Sequence, residues 1–149
     1  MSFHLAQFNL ARMVAPLESE AMRGFVEGLE ALNALADAAP GFVWRLRGEG
    51  DTATDLRPYG EDILINLSVW ESLEALKAYT YQGAHLEYLR RRREWFVPLK
   101  ERFLVLWWVP VGYEPRLQEG MERLEYLRRY GPTPRAFTLG QNFPPGSSQ

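Results

Sequence analysis

The chain has 149 residues, a formal net charge of −2 and no cysteine. This length is typical of one domain, the charge argues against a general attraction to nucleic acid or anionic membranes, and the lack of thiols excludes disulfides and cysteine-based catalysis or metal sites. Neither an apolar stretch of roughly 18 residues nor a secretory signal pattern is present, so we expect no membrane span and a cytoplasmic protein. Aromatic residues reach 13%, and such large rings need a core, an interface or a pocket.

Apolar periodicity predicts an α+β protein with the order β-α-β-β-α-β, followed by one further helix. The predicted strands cover residues 3–10, 42–47, 62–70 and 103–109, with a short additional strand at 135–139. The predicted helices cover residues 18–38, 72–81, 84–97 and 115–130. This is the split βαβ, ferredoxin-like order, and we expect an antiparallel sheet with helices on one face. We also expect one domain over residues 1–143 and a disordered tail over residues 144–149.

The predicted sheet carries large apolar residues on both faces. Alternation along the second strand places Phe42, Trp44 and Leu46 on one face. Trp107 and Trp108 point to opposite faces, so we expect one to pack on helices and the other at a dimer interface. Helices on one side would leave an apolar face exposed, which is unusual for a soluble monomer. Self-pairing about a two-fold axis would cover it and predicts a homodimeric α+β barrel; the C-terminal helix folding across that face is the alternative.

The helix predicted at 84–97 sets a histidine and an arginine among aromatic residues. On a helical wheel His85, Leu89 and Arg92 share one side, which Trp95 flanks. Unpartnered burial of such polar groups is costly. We therefore interpret this side as a pocket wall, in which His85 serves as acid or base or as a metal or heme ligand and Arg92 holds an anionic group. In the alternative, His85 hydrogen-bonds a backbone carbonyl, and Arg92 snorkels or pairs with a carboxylate.

Two asparagines interrupt apolar patterns. Asn33 lies in the buried stripe of the first helix, and Asn66 lies in the third strand on the face that also carries Trp70. These amides either line a ligand site or satisfy buried backbone groups. We include Asn66 and Trp70 among the candidate ligand-binding residues.

The stretch ILINLSVWESLEALKAYTYQGAHLEYLRRRREWF, residues 63–96, resembles an uncharacterised bacterial family, a domain of unknown function in the dimeric α+β barrel superfamily. That resemblance runs over nearly the full chain, from FHLAQFNL to GPTPRAFT. More distantly, the same stretch is similar to antibiotic-biosynthesis-type monooxygenases and to the heme-degrading enzymes of that superfamily. They share a strand followed by Trp-Glu-Ser, a helix and then Ala-His.

The more distant resemblance implies roles for individual residues. In the heme-degrading members a helical tryptophan, a histidine on the next helix and an amide on the first strand shape the site. Here Tyr79 stands in the tryptophan's place, and His85 matches the histidine. Gln7 or Asn9 lies near the amide. The resemblance thus implies catalytic roles for His85 and Tyr79, but tyrosine replaces tryptophan and the segment before Ala84 is shorter by about a helical turn, which leaves the cofactor open between heme and none.

Together these observations predict a small-molecule-binding protein, a monooxygenase-like or heme-binding oxidoreductase with a pocket between sheet and helices. Its ligand would be a small hydrophobic or anionic organic molecule, and no metal site is predicted apart from His85 if heme binds. A non-catalytic homodimeric binding or structural module is the alternative. The candidate site residues are Gln7, Asn9, Asn66, Trp70, Tyr79, His85, Arg92 and Trp95.

Overall fold

A five-stranded antiparallel sheet forms the centre of the protein. The computed structural model describes residues 2–81 and 83–146, so residues 147–149 of the predicted tail lie outside the described residues. The strands are β1 (Phe3–Met13), β2 (Phe42–Arg45), β3 (Ile63–Trp70), β4 (Phe96–Val97) and β5 (Leu104–Pro110). The helices are α1 (Arg23–Asp37), α2 (Leu73–Thr80), α3 (Gly83–Trp95) and α4 (Leu117–Tyr130). The α+β class and the ferredoxin-like order are confirmed.

Strand β1 is the central strand of the sheet. It pairs with β3 along one edge and with β5 along the other, and β2 extends the sheet beyond β3. Where the pairing with β5 ends, the short strand β4 pairs through Val97 and Phe96 with Arg12 and Met13. The prediction of helix as far as residue 97 is therefore wrong. The chain leaves α3 early because the long β1 presents unpaired backbone groups at this end, and pairing satisfies them.

Two boundaries in the C-terminal part also differ from the prediction. Helix α4 begins at Leu117, because Arg116 before it is extended, with a ψ of 155°. The strand predicted at 135–139 is reduced to one bridge, in which Phe137 and Leu106 exchange backbone hydrogen bonds of 2.9 and 2.8 Å. This bridge still extends the sheet past the outer edge of β5.

A β-bulge interrupts the side-chain alternation predicted for strand β2. Phe42 lies opposite Trp70 and Trp44 lies opposite Val69, with the register shifting between the two. The extra residue of a bulge breaks the alternation of side chains, so Phe42 and Trp44 lie on opposite faces instead of sharing one. Arg45 consequently joins the face of Phe42.

Helix α4 covers the sheet face that carries Phe8 and Trp107. Both side chains are completely buried within the single chain. Gly120 allows the close approach, because a Cβ atom there would lie 2.8 Å from Phe8 Cγ. The indole Nε1 of Trp107 donates a hydrogen bond of 2.8 Å to Glu119 of the same helix. Helices α1, α2 and α3 pack on the opposite face, so the prediction of helices on one face is wrong.

Because α4 covers the face that carries Phe8 and Trp107, that face no longer needs a second copy of the chain to bury it. The alternative considered from the sequence, the C-terminal helix folding across the sheet, is the arrangement observed. Trp107 packs beneath α4, while Trp108 lies on the other face, where its Nε1 donates to the carbonyl of Phe143 over 2.8 Å. Both tryptophans are thus packed within the single chain, and homodimerisation stays an untested prediction.

Candidate functional site

A cavity of about 370 Å³ lies between the sheet and the helices α1, α2 and α3. This is the position predicted for a pocket. All of the candidate residues line it: Gln7, Asn9, Asn66, Trp70, Tyr79, His85, Arg92 and Trp95. Asn33 of α1 also lines the cavity, and so does Arg45, which sequence analysis did not single out. The fold therefore brings together residues from three strands and three helices.

Polar side chains of adjacent strands form the floor of the cavity. In the register of β1 and β3, Gln7 lies opposite Ser68 and Asn9 lies opposite Asn66. Gln7 Nε2 donates hydrogen bonds to Asn66 Oδ1 and, over 2.8 Å, to Ser68 Oγ. Asn9 Nδ2 donates to Gln7 Oε1 over 2.8 Å. Gln7 is thereby fixed, whereas Asn66 is exposed to the cavity and its Nδ2 has no partner among the described residues, so it can bind a ligand oxygen.

Stacked rings form the wall beside this floor. Trp70 and Tyr79 are stacked with centroids 5.2 Å apart, and the ring of Tyr79 lies 4.9 Å from that of His85. The hydroxyl of Tyr79 donates to the carbonyl of Leu32 over 3.2 Å. Burial raises the pKa of Tyr79 to about 12, so its phenol stays protonated at neutral pH. Tyr79 therefore offers a ring surface and cannot serve as a base.

His85 is held in one tautomer at the start of α3. Its Nδ1 lies 2.9 Å from the carbonyl oxygen of Thr80, a contact that requires a proton on Nδ1. Burial lowers the pKa of His85, and the bond to Thr80 only partly opposes this effect. At neutral pH the ring is thus uncharged, and the Nε2 lone pair has no protein partner among the described residues. The hydrogen bond to a backbone carbonyl is the alternative that the sequence analysis gave for His85. It nevertheless leaves Nε2 able to accept a proton or bind a metal.

The far end of the cavity is built from tightly packed aromatic residues. Trp95 is only 2% exposed and packs between Phe25 and Tyr88, with centroid distances of 5.8 and 5.2 Å. Gly28 of α1 makes room for Tyr88, because a Cβ atom there would lie 1.2 Å from the tyrosine hydroxyl. Trp95 therefore contributes mainly a rigid wall.

The arginines of α3 differ in their partners. Arg90 pairs with Glu87 over 3.6 Å, and Arg91 pairs with Glu94 over 2.9 Å. Arg92 is exposed, lines the cavity and has no carboxylate partner among the described residues. It is therefore available to a ligand, whereas its two predecessors are engaged on the outer side of the helix.

Arg45 is the residue that sequence analysis missed. Its side chain is almost completely buried, and its Nε lies 2.8 Å from Asp37 at the end of α1 while its Nη2 lies 3.0 Å from Asp51 in the loop after β2. The position of an arginine in a strand rich in aromatic residues could have drawn attention to it. The sequence could not show which face of the sheet Arg45 lies on, because the bulge changes the alternation of side chains before it.

Comparison with protein families relates this fold and site to known sequences. The model described as "Domain of unknown function (DUF3291)" matches residues 4–149. The chain belongs to this family. The resemblance to a family of unknown function, noted over residues 63–96 and beyond, is thereby confirmed over residues 4–149. A search among curated proteins found no match.

Comparison with solved structures found several that are similar to this DUF3291 protein. PA3566 from Pseudomonas aeruginosa has a TM-score of 0.50 at 14% identity, with 78% of this chain and 98% of that chain covered. A candidate antibiotic biosynthesis monooxygenase from Chloroflexus aurantiacus has a TM-score of 0.48 at 18% identity, covering 75% and 97%. SnoaB, a cofactor-independent oxygenase from Streptomyces nogalater, has a TM-score of 0.48 at 16% identity, covering 79% and 100%. The similarity to PA3566 supports the α+β fold. Sequence identities as low as these bear on the fold and not on the activity.

Proposed function

We propose that the cavity binds a flat, largely apolar organic molecule. One observation carries this proposal. The cavity has a hydrogen-bonded polar floor centred on Gln7, and a wall of stacked aromatic rings lies beside it. A volume of about 370 Å³ lies within the range of small-molecule pockets. Aromatic walls provide apolar contact area, and a few fixed polar groups orient the ligand. Asn66 is the floor residue best placed to contact it.

Filling the cavity should abolish this binding. We expect Asn66→Phe to eliminate binding of N-phenyl-1-naphthylamine, a neutral fluorescent probe, because the phenyl ring would occupy the ligand's space above the floor. Ser68 remains as a partner for Gln7 Nε2, so folding should survive. Probe fluorescence measures binding, and the control is Val43→Phe, which adds a ring at an exposed position of β2 outside the cavity. Unchanged binding in Asn66→Phe, or no binding to the wild type, would reject the proposal.

We further propose that the site is an oxidoreductase site that uses dioxygen without a cofactor. The free Nε2 of His85 would accept the hydroxyl proton of an electron-rich phenol or quinol. For a quinol, two electrons and two protons pass to dioxygen, which yields the quinone and hydrogen peroxide. Tyr79, whose hydroxyl is engaged by Leu32, would stack against the substrate ring.

Heme binding is a second candidate, favoured by the orientation of His85. A ring whose Nδ1 donates to a carbonyl presents Nε2 as a ligand, which is the usual arrangement at metal sites. In that case His85 would hold the iron and Arg92 would pair with a propionate. The macrocycle would supply redox chemistry that these side chains lack.

Hemin titration separates these two candidates. If heme binds, we expect a Soret shift that His85→Ala abolishes and that His4→Ala, at the other histidine, leaves intact. Burial lowers the pKa of His85 below its ordinary value, so as the pH falls the Soret shift should be lost at a lower pH than for an exposed histidine. Absence of a Soret shift in the wild type would reject heme binding and leave the cofactor-free proposal standing.

The non-catalytic module remains the alternative function. It is favoured if probes bind without any turnover of a quinol. Homodimerisation and a cytoplasmic location remain predictions, and light scattering of the full chain decides the first. In the described part of the chain, none of the helices has the length and apolar character needed to span a membrane.

A further inference from the structure

The cavity differs in charge from the rest of the protein. The chain carries 19 acidic and 17 basic residues. Nevertheless, the described residues that line the cavity include neither aspartate nor glutamate. A ligand with a negative group would thus meet no like charge in the wall, whereas elsewhere on this surface it would meet many.

Three basic side chains line the cavity among the described residues, and two of them are engaged by other groups of the protein. Arg45 is neutralised by Asp37 and Asp51, which lie 2.8 and 3.0 Å away. The Nδ1 of His85 is engaged by the carbonyl oxygen of Thr80, 2.9 Å away. Arg92 lines the cavity without an ion-pair partner among the described residues. An unpaired guanidinium in a carboxylate-free cavity is a site for a carboxylate, sulfonate or phosphate.

The spacing along α3 relates this cation to His85. The two residues are seven positions apart on one face of the helix, so their Cα atoms are separated by about 10 Å along its axis. A ligand that contacts both needs a body of roughly two or three fused rings. We propose that the ligand of the cavity is such an aromatic anion, with its anionic group held by Arg92 and its ring system reaching toward His85. This inference rests on the proposed binding function and adds the charge of the ligand.

Two probes with the same aromatic body test the inference. N-phenyl-1-naphthylamine is neutral, and 8-anilinonaphthalene-1-sulfonate adds one sulfonate to the same rings. We expect the wild type to prefer the sulfonate at low salt, and Arg92→Gln to weaken the sulfonate by about fivefold, as for a partly exposed ion pair. Binding of the neutral probe should not change. Because salt screens such pairs, 0.5 M NaCl should remove the preference in the wild type.

Arg93→Gln is the matched control. Arg93 is the next residue of α3, is exposed and does not line the cavity, so its loss changes the net charge equally. We expect it to leave both probes unaffected, and Arg92→Lys to restore most of the sulfonate affinity. Equal weakening by both glutamine variants would indicate a general charge effect and overturn the inference. Binding of the neutral probe with no preference for the sulfonate would overturn the inference alone, whereas loss of both probes from the wild type would overturn the proposed function.

Discussion

Gly120→Val should strain the packing of helix α4 on the sheet and lower the stability by about 3 kcal/mol, at the upper end of overpacking costs. The added Cβ would lie 2.8 Å from Cγ and 2.9 Å from Cδ1 of Phe8. Because Phe8 is fully buried in the centre of the sheet, its ring has no free space into which to move. For a domain of this size we expect the melting temperature to fall by roughly 6–12 °C.

The same variant tests what the covered face does when α4 leaves it. Phe8 and Trp107 would become exposed whenever the strained helix separates from the sheet. An exposed apolar face of this kind favours association with another molecule. We therefore expect Gly120→Val to self-associate more than the wild type in light scattering. Gln118→Val is the control, since it places the same β-branched residue at an exposed position of the same helix. If the two variants melted alike and kept the wild-type mass, the packing of α4 on the sheet would be wrong.

Arg45→Met should lower the free energy of unfolding by about 3 kcal/mol, the lower end for breaking a buried ion pair. The side chain of Arg45 is 5% exposed and joins Asp37 of α1 to Asp51 of the following loop. Its Nη1 also donates to the backbone carbonyl of Asp51. Methionine fills a similar volume but removes the buried cation, so the two carboxylates keep only the half-exposed Arg47 as a positive partner. The loss stays near the lower end because Asp51 is 61% exposed and can remain hydrated.

Arg47 provides a control that uses the same carboxylates. It lies 3.6 Å from Asp37 and 3.4 Å from Asp51, but half of its side chain is exposed. Exposed pairs contribute roughly 0–1 kcal/mol, so urea denaturation should detect little change in Arg47→Met. Equal losses in the two variants would mean that charge, rather than burial, determines the contribution. Because Arg45 also lines the cavity, Arg45→Met should in addition weaken probe binding.

The site was predictable where a residue's environment follows from local periodicity. His85 and Arg92 are seven residues apart on one helix, so the 3.6-residue repeat alone puts them on one face. Asn66 and Trp70 share a strand face for the equivalent reason. The approach of Tyr79 and Gln7 to this face came from the family resemblance, since they lie on elements distant in the chain.

The part of the site that contains Arg45 was not predictable, because one extra residue in β2 changes the face on which the following side chains lie. The bulge at Val43 turns Arg45 toward the cavity, and no composition signal marks a single extra residue in a strand. Its partners then come from two separate places, Asp37 at the end of α1 and Asp51 in the loop after β2. The ion pair was therefore invisible until the register of β2 and β3 was known.

The amino-acid sequence by itself determined the elements, their ferredoxin-like order and the polar and aromatic character of the helix and strand faces, because these depend on contacts between near neighbours. Only the tertiary structure decided what covers the second sheet face. Both a second copy and α4 would bury Phe8 and Trp107, and periodicity cannot choose between them. The choice depends on the close approach that Gly120 permits and on the bond from Trp107 to Glu119, which exist only after the chain has folded back on itself.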